Sequence, residues 1–272
     1  MTLFKWQATL EQGRGTPLVC LDYLPFARRV YGQNDARWFD AGPLLATCRQ
    51  AQQGLKPDVM LFPLLDWTAA WWQAQGLALP QASRSTKALK LALENPALLR
   101  ALSEVLQALA TLNRADAAVA LKLGSVEDWL HWISPATPLH AAVDEGDAED
   151  VCVYLAALVN KLPAATFDSL FLHRTRPIDG SSSVAYAPLV NAAWHFGWGL
   201  VLCAQDSQDL PADIDLVASR GPLGGQGLWA TDAFWHTAAP ASPARFVVGT
   251  LLADMQPERV LSTLARLRAS ST

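Results

Sequence analysis

The sequence predicts a (β/α)8 barrel, and three observations lead there. Short β-branched or Leu-rich runs recur along the chain, each followed by a longer segment of helical periodicity, the alternation that βα units around a parallel sheet produce. Eight such runs fit into about 250 residues, the usual span of a barrel. The alternative, an open doubly wound sheet, has no Gly-x-Gly-x-x-Gly after its first strand. Without an internal repeat or a linker long enough to separate two units, residues 1–272 read as one barrel domain.

In order, the expected strands are Leu18–Leu21, Val59–Phe62, Ala117–Leu123, Ser169–Leu172, Leu200–Cys203, Ile214–Ala218, Gly227–Ala230 and Phe246–Leu251. All but Gly227–Ala230 are nearly continuously apolar, as strands covered on both faces must be. Helices are expected over Pro43–Gln53 and Trp67–Gln75, and from Pro96, where Asn95 stands as the cap and proline takes the first helical position. Val126–Ile133 follows, then a helix that Asp147 opens and that runs through Val151–Leu162, with Tyr154, Leu155, Leu158 and Val159 on one face. Val184–Phe196 and Pro257–Ala269 complete the set. The Gly-rich Arg220–Gly227 and the Pro/Ala/Ser-rich Ala238–Ala244 read as loops.

Composition narrows the function. Hydrophobic residues make up 51% of the chain and charged residues 17%, which excludes disorder. A net charge of −4 without a basic block argues against nucleic acid as a partner. Cys20, Cys48, Cys152 and Cys203 lie far apart and read as buried small hydrophobes of a reducing compartment. Lys5 and Gln7 interrupt the first ten residues, and no run of about 18 apolar residues occurs, so neither a secretory leader nor a membrane span is expected. A cytoplasmic protein is the default expectation.

A barrel builds its site at the C-terminal ends of its strands. Asp22 and Tyr23 end the first strand, Asp66 and Trp67 follow the second, Lys122 closes the third, and His173, Arg174 and Arg176 follow the fourth. Asp206, Arg220 and Asp254 follow the fifth, sixth and last. Asp66 and His173 are the candidates for acid–base work. Asp22, Tyr23, Trp67, Trp132, Arg174, Arg176, Asp206 and Arg220 are the candidates for holding a small-molecule ligand, since arginine grips carboxylate bidentately. The competing reading is structural: polar residues cap helices after every strand, and Asp66 stands where a cap of the next helix would. His173 ranks first among the histidines because it directly follows an apolar strand, whereas His131, His140, His195 and His236 sit on helices or in loops. Eleven tryptophans are many for one chain. Trp67, Trp132 and Trp229 stand evenly between pocket wall and core, and Trp67 with Trp71 has the i, i+4 spacing of a buried helix face. No His-x-x-x-His, His-x-Cys or Gly-x-Ser-x-Gly occurs, and the spacing of Gly221, Gly224, Gly225 and Gly227 matches no phosphate loop. No metal and no cofactor are expected.

The run Asp254-Met255-Gln256-Pro257-Glu258-Arg259-Val260, preceded by Arg245-Phe246-Val247-Val248, resembles the last strand and helix of the uroporphyrinogen decarboxylase family. Collinear with it, Asp58–Phe62 resembles the family's second strand, Leu123-Gly124-Ser125 its Gly-Ser/Ala-Pro segment, Ala204-Gln205-Asp206 its Ala-Lys-Asp, and Gln226-Gly227 its Gln-Gly. The resemblance implies a (β/α)8 barrel, a tetrapyrrole or other polycarboxylate as ligand, carboxy-lyase-like chemistry and a homodimer. Asp66 would orient the ligand, and Arg174, Arg176 and Arg220 would hold its carboxylates. Departures fall at the family's functional positions. Leu21-Asp22-Tyr23 replaces an Arg-Gln-Ala-Gly-Arg segment, Leu64 stands at the family's aspartate, Trp132 at its tyrosine, and no histidine lies between Arg245 and Asp254. The wider superfamily includes zinc-dependent methyltransferases acting on corrinoids or thiols, whose His-x-Cys would fall at Val201 and Cys203. A non-catalytic barrel that binds a ligand or a partner is the third reading.

Overall fold

A computed structural model describes residues 16–32, 38–113, 118–136, 143–174, 183–204, 214–219, 227–236 and 244–269. Its strands are β1 (Leu18–Asp22), β2 (Val59–Pro63), β3 (Ala118–Gly124), β4 (Ser169–Arg174), β5 (Gly199–Ala204), β6 (Leu216–Ser219), β7 (Gly227–Ala230) and β8 (Phe246–Thr250). Each pairs in parallel with the next, and β8 pairs back onto β1, closing the barrel the sequence predicts.

The helices are α1 (Leu24–Val30), α2 (Ala41–Leu55), α3 (Leu64–Ala74), α4 (Ser85–Leu93), α5 (Pro96–Asn113), α6 (Val126–Ile133), α7 (Glu145–Val159), α8 (Ala187–Phe196), α9 (Asp232–His236) and α10 (Pro257–Ala269). Asn95 caps α5 as expected, its side-chain oxygen accepting the Ala97 and Leu98 N–H groups at 2.9 and 3.3 Å. For α7 the cap is Asp144 rather than Asp147. Its carboxylate accepts the Asp147 N–H at 2.7 Å, while Asp147 itself sits in the first turn and pairs with Arg84 at 2.6 Å. The helix expected from Trp67 starts three residues earlier, at Leu64, because α3 follows β2 without a loop. α1, α4 and α9 are additional to the expected set. Each has under ten residues, too few turns for a periodic pattern to stand out.

Period-two alternation sorts the strand side chains. Leu18, Cys20, Val59, Leu61, Ala120, Phe171, Val201, Cys203, Leu216, Ala218, Trp229, Phe246 and Val248 fill the barrel interior as one buried cluster. Their neighbours, such as Val19, Leu21, Met60, Phe62, Leu121, Leu170 and Leu202, pack outward against the helices. The interior is filled in part because Gly227 has no side chain: a Cβ there would collide with the Phe246 ring. On the outer face, Gly249 makes room for Trp235, whose Cζ2 would lie 2.5 Å from an added Cβ. Among the described residues no helix is long and apolar enough to cross a membrane. All four cysteines are buried and unbridged.

Candidate functional site

Continuing the inward alternation to the C-terminal rim brings Asp22, Lys122, His173 and Thr250 to the top of the barrel interior. The Lys122 ammonium donates to Asp22 Oδ2 at 2.8 Å and to Thr250 Oγ1 at 3.1 Å. Asp22 is fully buried, and Lys122 keeps 13% of its side chain accessible. Burial works to release the lysine's proton, but the carboxylates of Asp22 and Asp66 outweigh it and hold Lys122 above the ordinary lysine range. His173 packs edge-on against Trp229, ring centroids 4.9 Å apart.

Above this floor lies a cavity of about 540 Å3 between α3 and α6, over the ends of β2, β3 and β4. Lys122 and His173 face it from below, Leu65, Asp66 and Ala69 from α3, and Asp128, His131, Trp132 and Pro135 from α6 and the residues after it. Asp128, His131 and Trp132 stand at i, i+3 and i+4, one helical face. Local chemistry fixes that face. Gly124 ends β3 at φ +80°, in the left-handed region that glycine enters freely, and a Cβ there would press on Leu65. Ser125 and Asp128 then form a capping box: the Ser125 hydroxyl accepts the Asp128 N–H at 3.1 Å, and the Asp128 carboxylate accepts the Ser125 N–H at 3.2 Å. Trp129 anchors the turn from behind, its indole N–H donating to the Leu123 carbonyl at 2.6 Å.

Asp66, in the first turn of α3, lines the cavity at its solvent edge. Although the residue stays exposed, protein atoms crowd its carboxyl. Burial raises its pKa, Lys122 opposes that rise, and Asp22 and Asp128 add to it. A larger cavity of about 650 Å3, lined by Arg49, Gln52, Lys56 and Asp58, sits at the opposite end of the barrel. Barrel chemistry belongs to the C-terminal end, so the smaller cavity is the candidate site.

Of the expected site residues, Asp66, Trp132 and His173 meet around this cavity. Three others are placed differently. Asp22 lies beneath it, turned to Lys122. Tyr23 leaves the barrel and buries its hydroxyl beside the Cys48 thiol, because it falls one residue past the inward-facing position. Trp67 packs against Phe39 and Phe62, with centroids at 5.6 and 5.9 Å, in the layer between sheet and helices. Neither Tyr23 nor Trp67 lines the cavity. Trp229 points into the barrel under His173. Arg174 is the last residue of β4, and Arg176, Asp206 and Arg220 lie outside the described residues.

Cys203 faces the interior fully buried, and burial pushes its thiol up to about 12, far from the thiolate that binds zinc. Among the described residues no group of three His, Cys, Asp or Glu side chains is arranged to hold a metal. His131 and Asp128 are not among the expected site residues, because only the turn of α6 carries them to the cavity. Lys122, which closes the third expected strand, has no assigned role in the sequence reading, although a lysine continuing the inward series Ala118, Ala120 is a signal in the sequence.

No protein-family profile matches the chain, and no curated protein matches it. Among solved structures, dihydrodipicolinate synthase from Agrobacterium tumefaciens is similar at 14% identity and a TM-score of 0.44, over 94% of this chain and 76% of that one. An apo homocysteine methyltransferase from Escherichia coli is similar at 10% identity and 0.39, over 96% and 99% of the two chains. Dihydrodipicolinate synthase from Bacillus clausii stands at 12% identity and 0.40, over 93% and 74%.

Proposed function

We propose that this chain is a small-molecule-binding barrel, diverged from uroporphyrinogen decarboxylase-like proteins, that takes a polycarboxylate in the cavity at its C-terminal mouth. A tetrapyrrole is the polycarboxylate to which the sequence resemblance points. One observation carries the reading: the Lys122 side chain lines the cavity floor and carries a cation fixed by Asp22 and Thr250. A cation already desolvated and oriented needs no reorganisation to receive a carboxylate. Asp66 at the rim accepts N–H donors such as those of a pyrrole, and Trp132 offers a partly exposed aromatic wall to a flat ligand. The cavity volume lies within the range usual for small-molecule sites, about 300–1,000 Å3.

The test is calorimetric titration of uroporphyrin, coproporphyrin and citrate into the wild type, K122M and D66N. Binding of a polycarboxylate that weakens at least tenfold in K122M supports the reading. Absence of binding by all three, or affinities that K122M leaves unchanged, contradicts it.

A further inference from the structure

We infer that Lys122 forms a protonated imine with a carbonyl-bearing carboxylate, an oxo acid, bound in the mouth, and that Asp22 is the counter-ion of that imine. The inference rests on the reading of the mouth as a polycarboxylate site and narrows the ligand class.

Four features support it. Lys56, Lys87, Lys90 and Lys161 are exposed, whereas Lys122 alone among the described lysines is withdrawn into the barrel, with its side chain at the floor of a cavity large enough for a ligand. Its partner is a single fully buried carboxylate rather than solvent. Only one oxygen of that carboxylate is engaged: Asp22 Oδ1 is buried with no hydrogen-bond partner among the described residues. A purely structural ion pair is expected to satisfy both oxygens, so the spare acceptor is capacity for a proton in transit. Finally, Thr250 Oγ1 holds the nitrogen from a second side, which fixes the direction of approach.

Charge and atoms balance. The ammonium passes a proton to Asp22, and the free amine attacks the carbonyl carbon, breaking the C=O π bond and forming a C–N bond. Proton transfer within the adduct gives a neutral carbinolamine. Protonated Asp22 then returns its proton to the departing hydroxyl, water leaves, and a C=N bond forms. The net change is ammonium plus carbonyl to iminium plus water. One cation replaces another beside the same carboxylate, so the buried charge of the site is the same before and after. The positive charge that draws the ligand's carboxylate persists in the imine.

The experiment incubates the wild type and K122R with 2-oxoglutarate and sodium borohydride at mildly alkaline pH and maps the reduced adduct by peptide mass spectrometry. Thermal midpoints with 2-oxoglutarate and with 2-hydroxyglutarate, which has no carbonyl, are read in parallel. The expected result is an adduct on the Lys122 peptide at least tenfold above any exposed-lysine peptide, lost in K122R. The wild-type comparison of Lys122 with the exposed lysines stands even if K122R does not fold. Stabilisation by both compounds with no enriched adduct at Lys122 overturns the imine and leaves the binding reading standing. No stabilisation by either and no enriched adduct overturns the imine and counts against the binding reading too.

Discussion

Lys122 and Asp22, one hundred residues apart, meet at 2.8 Å inside the barrel although β2 lies between their strands. The reason is the layering of barrel interiors, in which alternate strands contribute side chains to the same layer. β1 and β3 are such a pair, so their last inward positions converge over the residue that β2 supplies. The convergence places a carboxylate and an amine at the base of the mouth cavity.

The pair should be costly to break and cheap to replace. D22L leaves a cation in an apolar interior and K122M leaves a buried carboxylate unpaired, so each should destabilise the protein by about 3–5 kcal/mol, while the double replacement D22L/K122M should recover most of that loss. Urea unfolding of the four proteins of this cycle measures it. Equal losses in single and double variants would show that the two side chains do not act as a unit.

Filling a glycine gap should strain the barrel from inside. Alanine at Gly227 would push its methyl into the Phe246 ring, with a cost of roughly 1–3 kcal/mol and a lower thermal midpoint. A G227A protein as stable as the wild type would mean that the interior yields.

The buried thiols should make the fold sensitive to alkali. Burial pushes Cys48, Cys152 and Cys203 up to about 12, while the unfolded thiols ionise near pH 8.5–9. The raised folded values mean that the full contribution is present below the unfolded range and is lost as pH rises from about 9 towards 12. By pH 10 each thiol should have withdrawn on the order of 1–2 kcal/mol. Denaturation midpoints between pH 8 and 10 should fall, and less steeply in C152A. A flat profile would contradict the burial of these groups.

The capping box should matter for both stability and the site. S125A removes the acceptor of the Asp128 N–H and should cost about 1 kcal/mol. Because α6 carries His131 and Trp132 to the cavity, the same variant should also weaken ligand binding, whereas N95A, at a cap remote from the cavity, should lower only the unfolding midpoint.

Much of the fold was legible because buried parallel strands are short apolar runs, and all eight expected runs overlap the observed strands. Even Gly227–Ala230, the least apolar, is a strand, since Gly227 and Trp229 suit the crowded interior. The site was legible only in outline. Asp66, Trp132 and His173 reach the cavity, but direction along a strand alternates residue by residue, so Asp22 turns inward and Tyr23 outward. Distance in sequence hid the partnership of Lys122 with Asp22. His131 looked structural because its role depends on where α6 lands, which Gly124 and the Ser125 cap decide.

We propose that the Lys122 cation makes the mouth a polycarboxylate site. Calorimetric titration of uroporphyrin into the wild type and K122M, with both confirmed folded, decides it. Measurable binding to the wild type and a loss of at least tenfold in K122M are expected. Equal affinity in the two proteins would place the ligand elsewhere and rule out the Lys122 anchor.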